Sequence, residues 1–404
     1  ALRYIYEDRW GGEMQWTPGF RGGDSIYGES IWTNRYEVIG KYQLPMKEDI
    51  FLSFSYSDHA QNSVYGNTPY IADQDIVYSQ LHWNKTLADV HNFLLGGAFR
   101  YTYYDDNTPA TFSADSLDPF NNPSEIYLPG IFLQDEISLN EKNKVLLGVR
   151  YDKDSRHGDI FTPRANYKLS PNENNIIRAS FGTGYRVVNL FTEDHAAATG
   201  AREVIIKGTL NPEQSYNANL HYQKFINTNF GFINFDGSVF YTHFTNKINP
   251  DYETNDQQII YENLDGYAVS QGVTFNTTIN FSAPLKIKLG GTFLDVFEMN
   301  KDENGDFVKS QQLLTEKFSG TFSVSYSFTK PNIKIDYSGN LYGPMKLPVV
   351  ENDIRSEFSD WYSIQNIQIT KTFKKGWEFY VGVKNLLNFT PPANSILRAH
   401  DPFD

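Results

Sequence analysis

Apolar and polar residues alternate with a period of two along most of the chain. The clearest examples are the segments 145–152, 216–223, 285–293 and 377–384, each with one apolar face and one polar or charged face. Because successive side chains of a β-strand point to opposite sides, this pattern predicts strands. No segment carries a convincing apolar stripe with helical spacing. The chain is therefore predicted to be all-β.

The alternating segments are long. They extend over about 10 residues or more, whereas strands of soluble domains usually have about 5–6. Aromatic residues make up 16% of the chain, and many stand near the ends of these segments. Long alternating strands with aromatic ends are typical of outer-membrane barrels, whose apolar face meets lipid and whose polar face lines a wet interior. A large soluble β-sandwich or propeller is the alternative, although the repeat of about 40–50 residues of propeller blades is not found.

The connections support an antiparallel transmembrane β-barrel. The pattern predicts roughly 17 strands, joined alternately by short turns such as 282–284 and long loops such as 186–214. Short periplasmic turns and long extracellular loops are the rule for bacterial barrels. With this assignment the first strand and the last, near 377–389, both run outward. Because an open edge in hydrocarbon leaves backbone groups unpaired, we expect the chain to be a fragment, with a further strand after residue 404.

Composition excludes several other classes. No run approaches the ~18 apolar residues of a membrane-spanning helix. The formal net charge of −13 disfavours nucleic-acid binding, since acidic proteins repel phosphate. The chain has no Cys, so disulfides and thiolate metal ligands are absent. Catalytic motifs such as GxSxG, Walker A and HExxH are missing, and we expect no enzyme activity.

Several motifs stand in a characteristic order along the chain. They are GIFLQDEISL at 130–139, LLGVRYDKDS at 146–155, TPR at 162–164, RASFGTGYR at 178–186, LNPEQS at 210–215 and GVKNLLNF at 382–389. Each is weak alone, but together they resemble the barrel of TonB-dependent outer-membrane receptors. The resemblance extends over at least residues 130–400.

This resemblance implies an architecture and a function. Transporters of this kind have about 22 strands and a plugged lumen, so residues 1–404 would be a partial barrel domain without its N-terminal plug. The expected function is TonB-dependent uptake of a scarce chelate, such as a ferric siderophore, haem or a corrinoid, in the bacterial outer membrane. Expected partners are TonB, outer-membrane lipids, the small chelate and, as in several members, a surface lipoprotein lid.

Two other functions stay open at this point. A passive, porin-like diffusion channel would use the same alternation of strands, and so would a surface receptor barrel that does not transport. A porin would be complete at 16–18 strands and would end on an aromatic strand, whereas this chain ends in DPFD.

The loop 186–214 carries the main candidate ligand residues. Haem receptors of the resembled family have an FRAP-like element, a His and an NPNL-like element. Here the order is YRVV at 185–188, His195, and NPEQ at 211–214. An imidazole can be an axial ligand of haem iron, and His195, Tyr185 and Arg186 are therefore ligand-binding candidates. The sequence departs from the pattern at two positions of each flanking element, and a solvated loop His is the alternative.

The loop 101–126 is acidic. Carboxylates in flexible loops suit hard cations such as Ca²⁺, so a loop-bound Ca²⁺ is expected on four residues, Asp105, Asp106, Asp115 and Asp118. The spacing does not match an EF-hand, and a merely solvated acidic loop is the alternative.

Two aromatic residues of the same loop are further candidates. Tyr103 and Tyr104 could contact a flat ligand, with the aromatic belt of the lipid interface as the alternative. Arg178 and His221 fall on the polar faces of their strands and are expected to point into the lumen.

Overall fold

The computed structural model describes residues 1–108, 111–113, 120–187, 203–208, 210–251, 255, 257–302, 304–349, 354–392 and 395–396, with backbone only at 112, 113 and 375. Two 3-10 helices, Pro18–Phe20 and Lys374–Gly376, are present in this part. Among the described residues, no helix has the length and apolar character needed to cross a membrane. The strands are β1 (Leu2–Gly12), β2 (Gly28–Gln43), β3 (Asp49–Tyr65), β4 (Thr68–Leu87), β5 (His91–Asp106), β6 (Phe112–Ser113), β7 (Phe120–Asn121), β8 (Ser124–Asn140), β9 (Asn143–Asp154), β10 (Gly158–Asn172), β11 (Asn175–Arg186), β12 (Glu203–Ile206), β13 (Glu213–Thr228), β14 (Gly231–Thr245), β15 (Ile248–Asp251), β16 (Gln258–Asn263), β17 (Gly266–Phe281), β18 (Leu285–Lys301), β19 (Phe307–Gln311), β20 (Phe318–Phe328), β21 (Ile333–Tyr342), β22 (Tyr362–Thr372) and β23 (Glu378–Val383).

One continuous antiparallel sheet contains 18 of these strands. One of them, β19, pairs only with the outer end of β18, which leaves 17 strands that each pair with the next long strand of the chain. The prediction of an all-β antiparallel barrel with about 17 strands is confirmed. Within the described part, β1 pairs with β2 alone and β23 with β22 alone, so the sheet is an open part of a barrel.

The cross-strand register gives the sheet two distinct faces. In β8, β9 and β10, the partners Leu133, Val149 and Pro163 share one face, and Phe132, Arg150 and Thr162 share the other. The apolar face is exposed, with Leu147 at 50%, whereas Asp152 on the polar face is only 6% exposed. A sandwich would bury its apolar faces against each other. Here the apolar face points outward and the polar face inward, as the alternation predicts for a barrel.

The turns at the inner end of the sheet are all short. Among the described residues they span two to five positions each, as in 141–142 and 44–48. The outer loops are longer, but strict alternation of short and long connections is wrong at two places. The long strands β3 and β4 meet in a two-residue turn whose Gly66 has φ +59°, as tight hairpins require. The turn 155–157 has only three residues and is held by Asp154, which accepts the N–H groups of Arg156 and His157.

Candidate ligand site at the outer mouth

Two outer loops fold into a small sheet at the lumenal side of the wall. The strands β12 and β16 pair in parallel and β16 and β15 pair antiparallel; we name this three-stranded sheet the roof sheet. Its Ile259 and Tyr261 are 2% and 1% exposed. They belong to one apolar cluster with Tyr65, Tyr70 and Tyr104 of the wall strands β3–β5. Burial of aromatic side chains is a strong stabilising contribution, so these loops are fixed to the wall.

Two buried carboxylates hold the other side of the roof sheet. Glu213 Oε1 accepts the backbone N–H of Ile248 at 3.0 Å, and its Oε2 accepts Arg186 at 2.7 Å. Glu298 accepts Lys247 Nζ at 2.5 Å and Asn249 Nδ2 at 2.8 Å. Charge-assisted hydrogen bonds of this kind are stronger than neutral ones. Strand β15 of the roof sheet is thus held to β13 by Glu213 and to β18 by Glu298.

Tyr104 lies inside this apolar cluster and is not available to a ligand. It is 4% exposed, and its hydroxyl lies 2.8 Å from that of Tyr70. It donates to Asp106, which also accepts Thr108 Oγ1 at 2.7 Å and Thr111 Oγ1 at 2.9 Å. The geometry therefore gives Tyr104 a structural role and corrects the expectation of ligand contact.

Tyr103 and Asp105 point away from the lumen. Tyr103 pairs with Asp75 and Glu125 on the outer face, next to Tyr101. The Tyr101 ring packs against that of Tyr127, with the ring centroids 5.0 Å apart and the planes tilted by 41°. This position fits the aromatic belt and not a ligand contact inside the barrel.

The predicted Ca²⁺ site does not assemble from its described members. Asp105 and Asp106 are neighbours on β5 and therefore project to opposite faces, and Asp106 is already hydrogen-bonded by the outer loop. Among the described residues, no group of three or more potential ligands is close enough to hold a metal ion. Asp115 and Asp118 lie outside the described residues, so a Ca²⁺ held by them remains a prediction.

Tyr185 and Arg186 end β11 at the mouth. The Tyr185 hydroxyl lies 3.4 Å from Asp154 Oδ2, and Arg186 pairs with Glu213. The Arg186 side chain remains 57% exposed, so part of its guanidinium can still face a ligand. His195 lies outside the described residues, and its role as an axial ligand stays a prediction.

Below the mouth, three arginines line the lumen without a carboxylate partner in the described chain. Arg100 donates to Thr102 Oγ1, Arg164 to Gln134 Oε1, and Arg178 lies 3.5 Å from His221 Nδ1. The lumenal positions of Arg178 and His221 agree with the sequence prediction. Because a guanidinium is always charged, this part of the wall presents positive charge to the interior.

A fourth lumenal arginine is neutralised. Arg150 binds both oxygens of Asp152 at 2.6 Å. Asp152 packs over Gly130, where an added Cβ would lie 2.0 Å from its Oδ1. A glycine is needed at this position because the carboxylate occupies the space of a side chain.

The sequence prediction missed the roof sheet. Its signal was present as two short apolar runs, VII at 204–206 and IIY at 259–261, inside loops that are otherwise polar. A continuous apolar run of this kind is typical of a strand buried on both faces.

Comparison with protein families identifies the chain. Residues 3–386 match the family model described as TonB dependent receptor-like, beta-barrel. The chain belongs to the TonB-dependent receptor β-barrel family. It is therefore an outer-membrane receptor barrel, in a family that is not one of enzymes. Comparison with curated proteins gives no significant match.

Solved structures of TonB-dependent receptors share this fold. A variant of the ferric enterobactin receptor of Pseudomonas aeruginosa matches with a TM-score of 0.68 and 16% identity, over 89% of this chain and 56% of that one. The FrpB iron transporter of Neisseria meningitidis matches with 0.71 and 14%, over 98% and 66%. The ferric-catecholate import receptor Fiu of E. coli matches with 0.67 and 11%, over 96% and 68%. The chain thus spans little more than half the length of the enterobactin receptor.

Proposed function

We propose that this chain forms the barrel of a receptor that imports an anionic ferric chelate, with energy supplied through TonB. The observation that carries the proposal is the set of lumenal guanidiniums without carboxylate partners, Arg100, Arg164 and Arg178. Planar guanidiniums suit anionic oxygen ligands. The names of the similar structures, which refer to ferric enterobactin and ferric catecholates, support the same class of ligand.

The mouth gives such a ligand an entry. The roof sheet is packed on the β3–β5 wall, so we propose that ligand enters beside it, along the ends of β9 and β11. There Tyr185 offers an aromatic ring and Arg186 a partly exposed guanidinium. A haem or corrinoid ligand would instead use His195. A surface lipoprotein lid over this entry also remains a proposal.

The test uses the full-length receptor in cells and after purification. Uptake of ⁵⁵Fe-enterobactin is measured in cells with and without TonB, and affinity is measured by quenching of tryptophan fluorescence. Arg164→Gln and Arg178→Gln should each weaken binding, because a hydrogen bond to a charged group contributes about 1.5–3 kcal/mol. That corresponds to roughly 10–150-fold in affinity. Lys309→Gln, at a lysine paired with Asp295 on the outer face, is the matched control.

The alternatives give different results. Uptake that persists without TonB would indicate a passive channel, and binding without uptake would indicate a non-transporting receptor. Tight binding of haem or cobalamin that is lost in His195→Ala, with no binding of ferric enterobactin, would overturn the proposal in favour of an axial ligand. Unchanged affinity in both arginine variants would remove its main support.

A further inference from the structure

The outer face of the wall carries a depression that the uptake function does not use. Its volume is about 470 Å³, and it is lined mainly by Leu81, Gly97, Phe99, Ile131, Tyr151 and Lys153. All six belong to the outward face, because Leu81, Gly97, Ile131 and Tyr151 are successive cross-strand partners, and Phe99 and Lys153 stand two positions further along their strands. The depression therefore opens toward the membrane and not into the lumen.

The depression exists because small residues interrupt the apolar surface. Gly97 has no side chain between Leu81, which is 47% exposed, and Ile131, which is 64% exposed. A Cβ at Gly97 would meet only the carbonyl oxygen of Gly130, at 3.7 Å. No steric reason thus requires glycine at position 97, in contrast to the crowded lumenal Gly130.

The dimensions and chemistry fit one kind of occupant. The row of partners from Leu52 on β3 to Tyr151 on β9 crosses five neighbouring strands. At about 4.8 Å per strand spacing, it is about 19 Å long, close to the length of an extended fatty acyl chain. Its lining is apolar except for the short Ser79 at its side and the Tyr151 hydroxyl and Lys153 at its outer end.

Lys153 supplies hydrogen-bond donors at the outer end of the depression. It stands one residue before the outer end of β9, and its side chain is 58% exposed. Its Nζ donates one hydrogen bond to Asp159 Oδ1 at 2.8 Å, and the Tyr151 hydroxyl donates to the same oxygen. An ammonium group has three donors, so two remain for an anionic headgroup above the apolar depression.

We propose that this depression is a specific binding site for a phosphorylated lipid of the outer leaflet. One acyl chain lies over Gly97 between Leu81 and Ile131, and the phosphate contacts Lys153. The outward face of a barrel is in contact with lipid in any case; the inference is that one lipid is retained here in preference to the others. The site is independent of the ligand that the receptor imports.

Native mass spectrometry of the full-length receptor released from detergent tests the proposal. Diphosphoryl lipid A is the probe, and lipid A without phosphates is the comparison. The wild-type receptor should retain one diphosphoryl lipid A and release the dephosphorylated form at lower collision energy. Gly97→Leu should reduce retention about tenfold, the loss expected if about two methylene groups leave apolar contact. Lys153→Gln should abolish the preference for diphosphoryl lipid A over the dephosphorylated form, while the acyl chain is still bound.

Ala218→Leu is the matched control, because it adds the same side chain to an exposed residue on the outer face of β13. Equal retention by Gly97→Leu and wild type, or an equal loss in Ala218→Leu, would overturn the acyl site. Equal retention of the two lipids by the wild type would overturn the role of Lys153. Gly97→Leu should fold, since the new side chain has space, and heat-modified migration on gels checks this.

Discussion

Replacement of Glu213 by Gln is the sharpest test of how the roof sheet is held. The wild-type carboxylate serves two donors at once, the Arg186 guanidinium at 2.7 Å and the Ile248 N–H at 3.0 Å. A Gln side chain has nearly the same shape but only one acceptor oxygen. Whichever donor that oxygen accepts, the amide NH₂ faces the other donor.

The magnitude follows from which donor loses its partner. Ile248 is 8% exposed, so its orphaned N–H would cost about 1–3 kcal/mol. The Arg186 side chain is more than half exposed and can be solvated by water. Loss of its ion pair with Glu213 would therefore cost less than about 1 kcal/mol. Burial of Glu213 itself, at 6% exposed, keeps water from replacing the missing acceptor. We therefore expect the roof sheet to lose about 1–3 kcal/mol of local stability.

Hydrogen exchange of the full-length receptor measures this directly. Local opening free energies set amide protection, so the amides of residues 248–251 and 258–263 should exchange roughly 5–150-fold faster. Glu136→Gln is the control, because Glu136 pairs with Lys144 at 2.8 Å near the inner turn, away from the roof sheet. Unchanged exchange in the roof sheet of Glu213→Gln would refute the role of the carboxylate, as would an equal change in the control.

Two further predictions concern single residues of the wall. Tyr104→Phe leaves a buried carboxylate oxygen of Asp106 without its donor. It should lower the free energy of unfolding of the outer loops by about 1–3 kcal/mol. Gly130→Ala should lower the unfolding temperature, because its Cβ would lie 2.0 Å from a carboxylate oxygen, whereas Gly97→Ala, with open space, should not.

Each of these has an outcome that contradicts it. Heat-modified migration on gels and tryptophan fluorescence report unfolding. A Tyr104→Phe receptor as stable as the wild type would mean that the buried hydroxyl contributes little. Equal effects of the two glycine substitutions would deny the close packing at Gly130.

The alternation of the sequence determined the fold well because it is a property of every strand. The faces assigned to 145–152 and 285–293 are those of the cross-strand register. A period of two fixes which residues share a face, and the membrane requires one apolar face along the whole strand. No long-range information was needed for this part.

The site was less predictable because it depends on contacts between loops. Tyr103 and Tyr104 are adjacent in sequence and equally aromatic, yet one lies in the outer belt and the other in a buried cluster. Alternation places them on opposite faces of the wall. It does not predict that the roof sheet covers the lumenal face next to Tyr104. That cover includes residues more than 150 positions further along the chain, such as Tyr261, and a local pattern does not contain such contacts.

The net charge of the chain is a poor guide to the charge that a ligand meets. The formal charge of −13 would argue against an anionic ligand if it were evenly spread. In the structure, however, Asp73, Asp75 and Asp105 face outward on β4 and β5, while Arg164 and Arg178 face the lumen without carboxylate partners in the described chain. Low-dielectric walls concentrate the field of the charges that line a cavity, and the Debye length is about 8 Å at physiological ionic strength. The three aspartates on the opposite face of the wall do not line the path of the ligand, so the lumenal wall beside Arg164 and Arg178 is more positive than the net charge of the chain indicates.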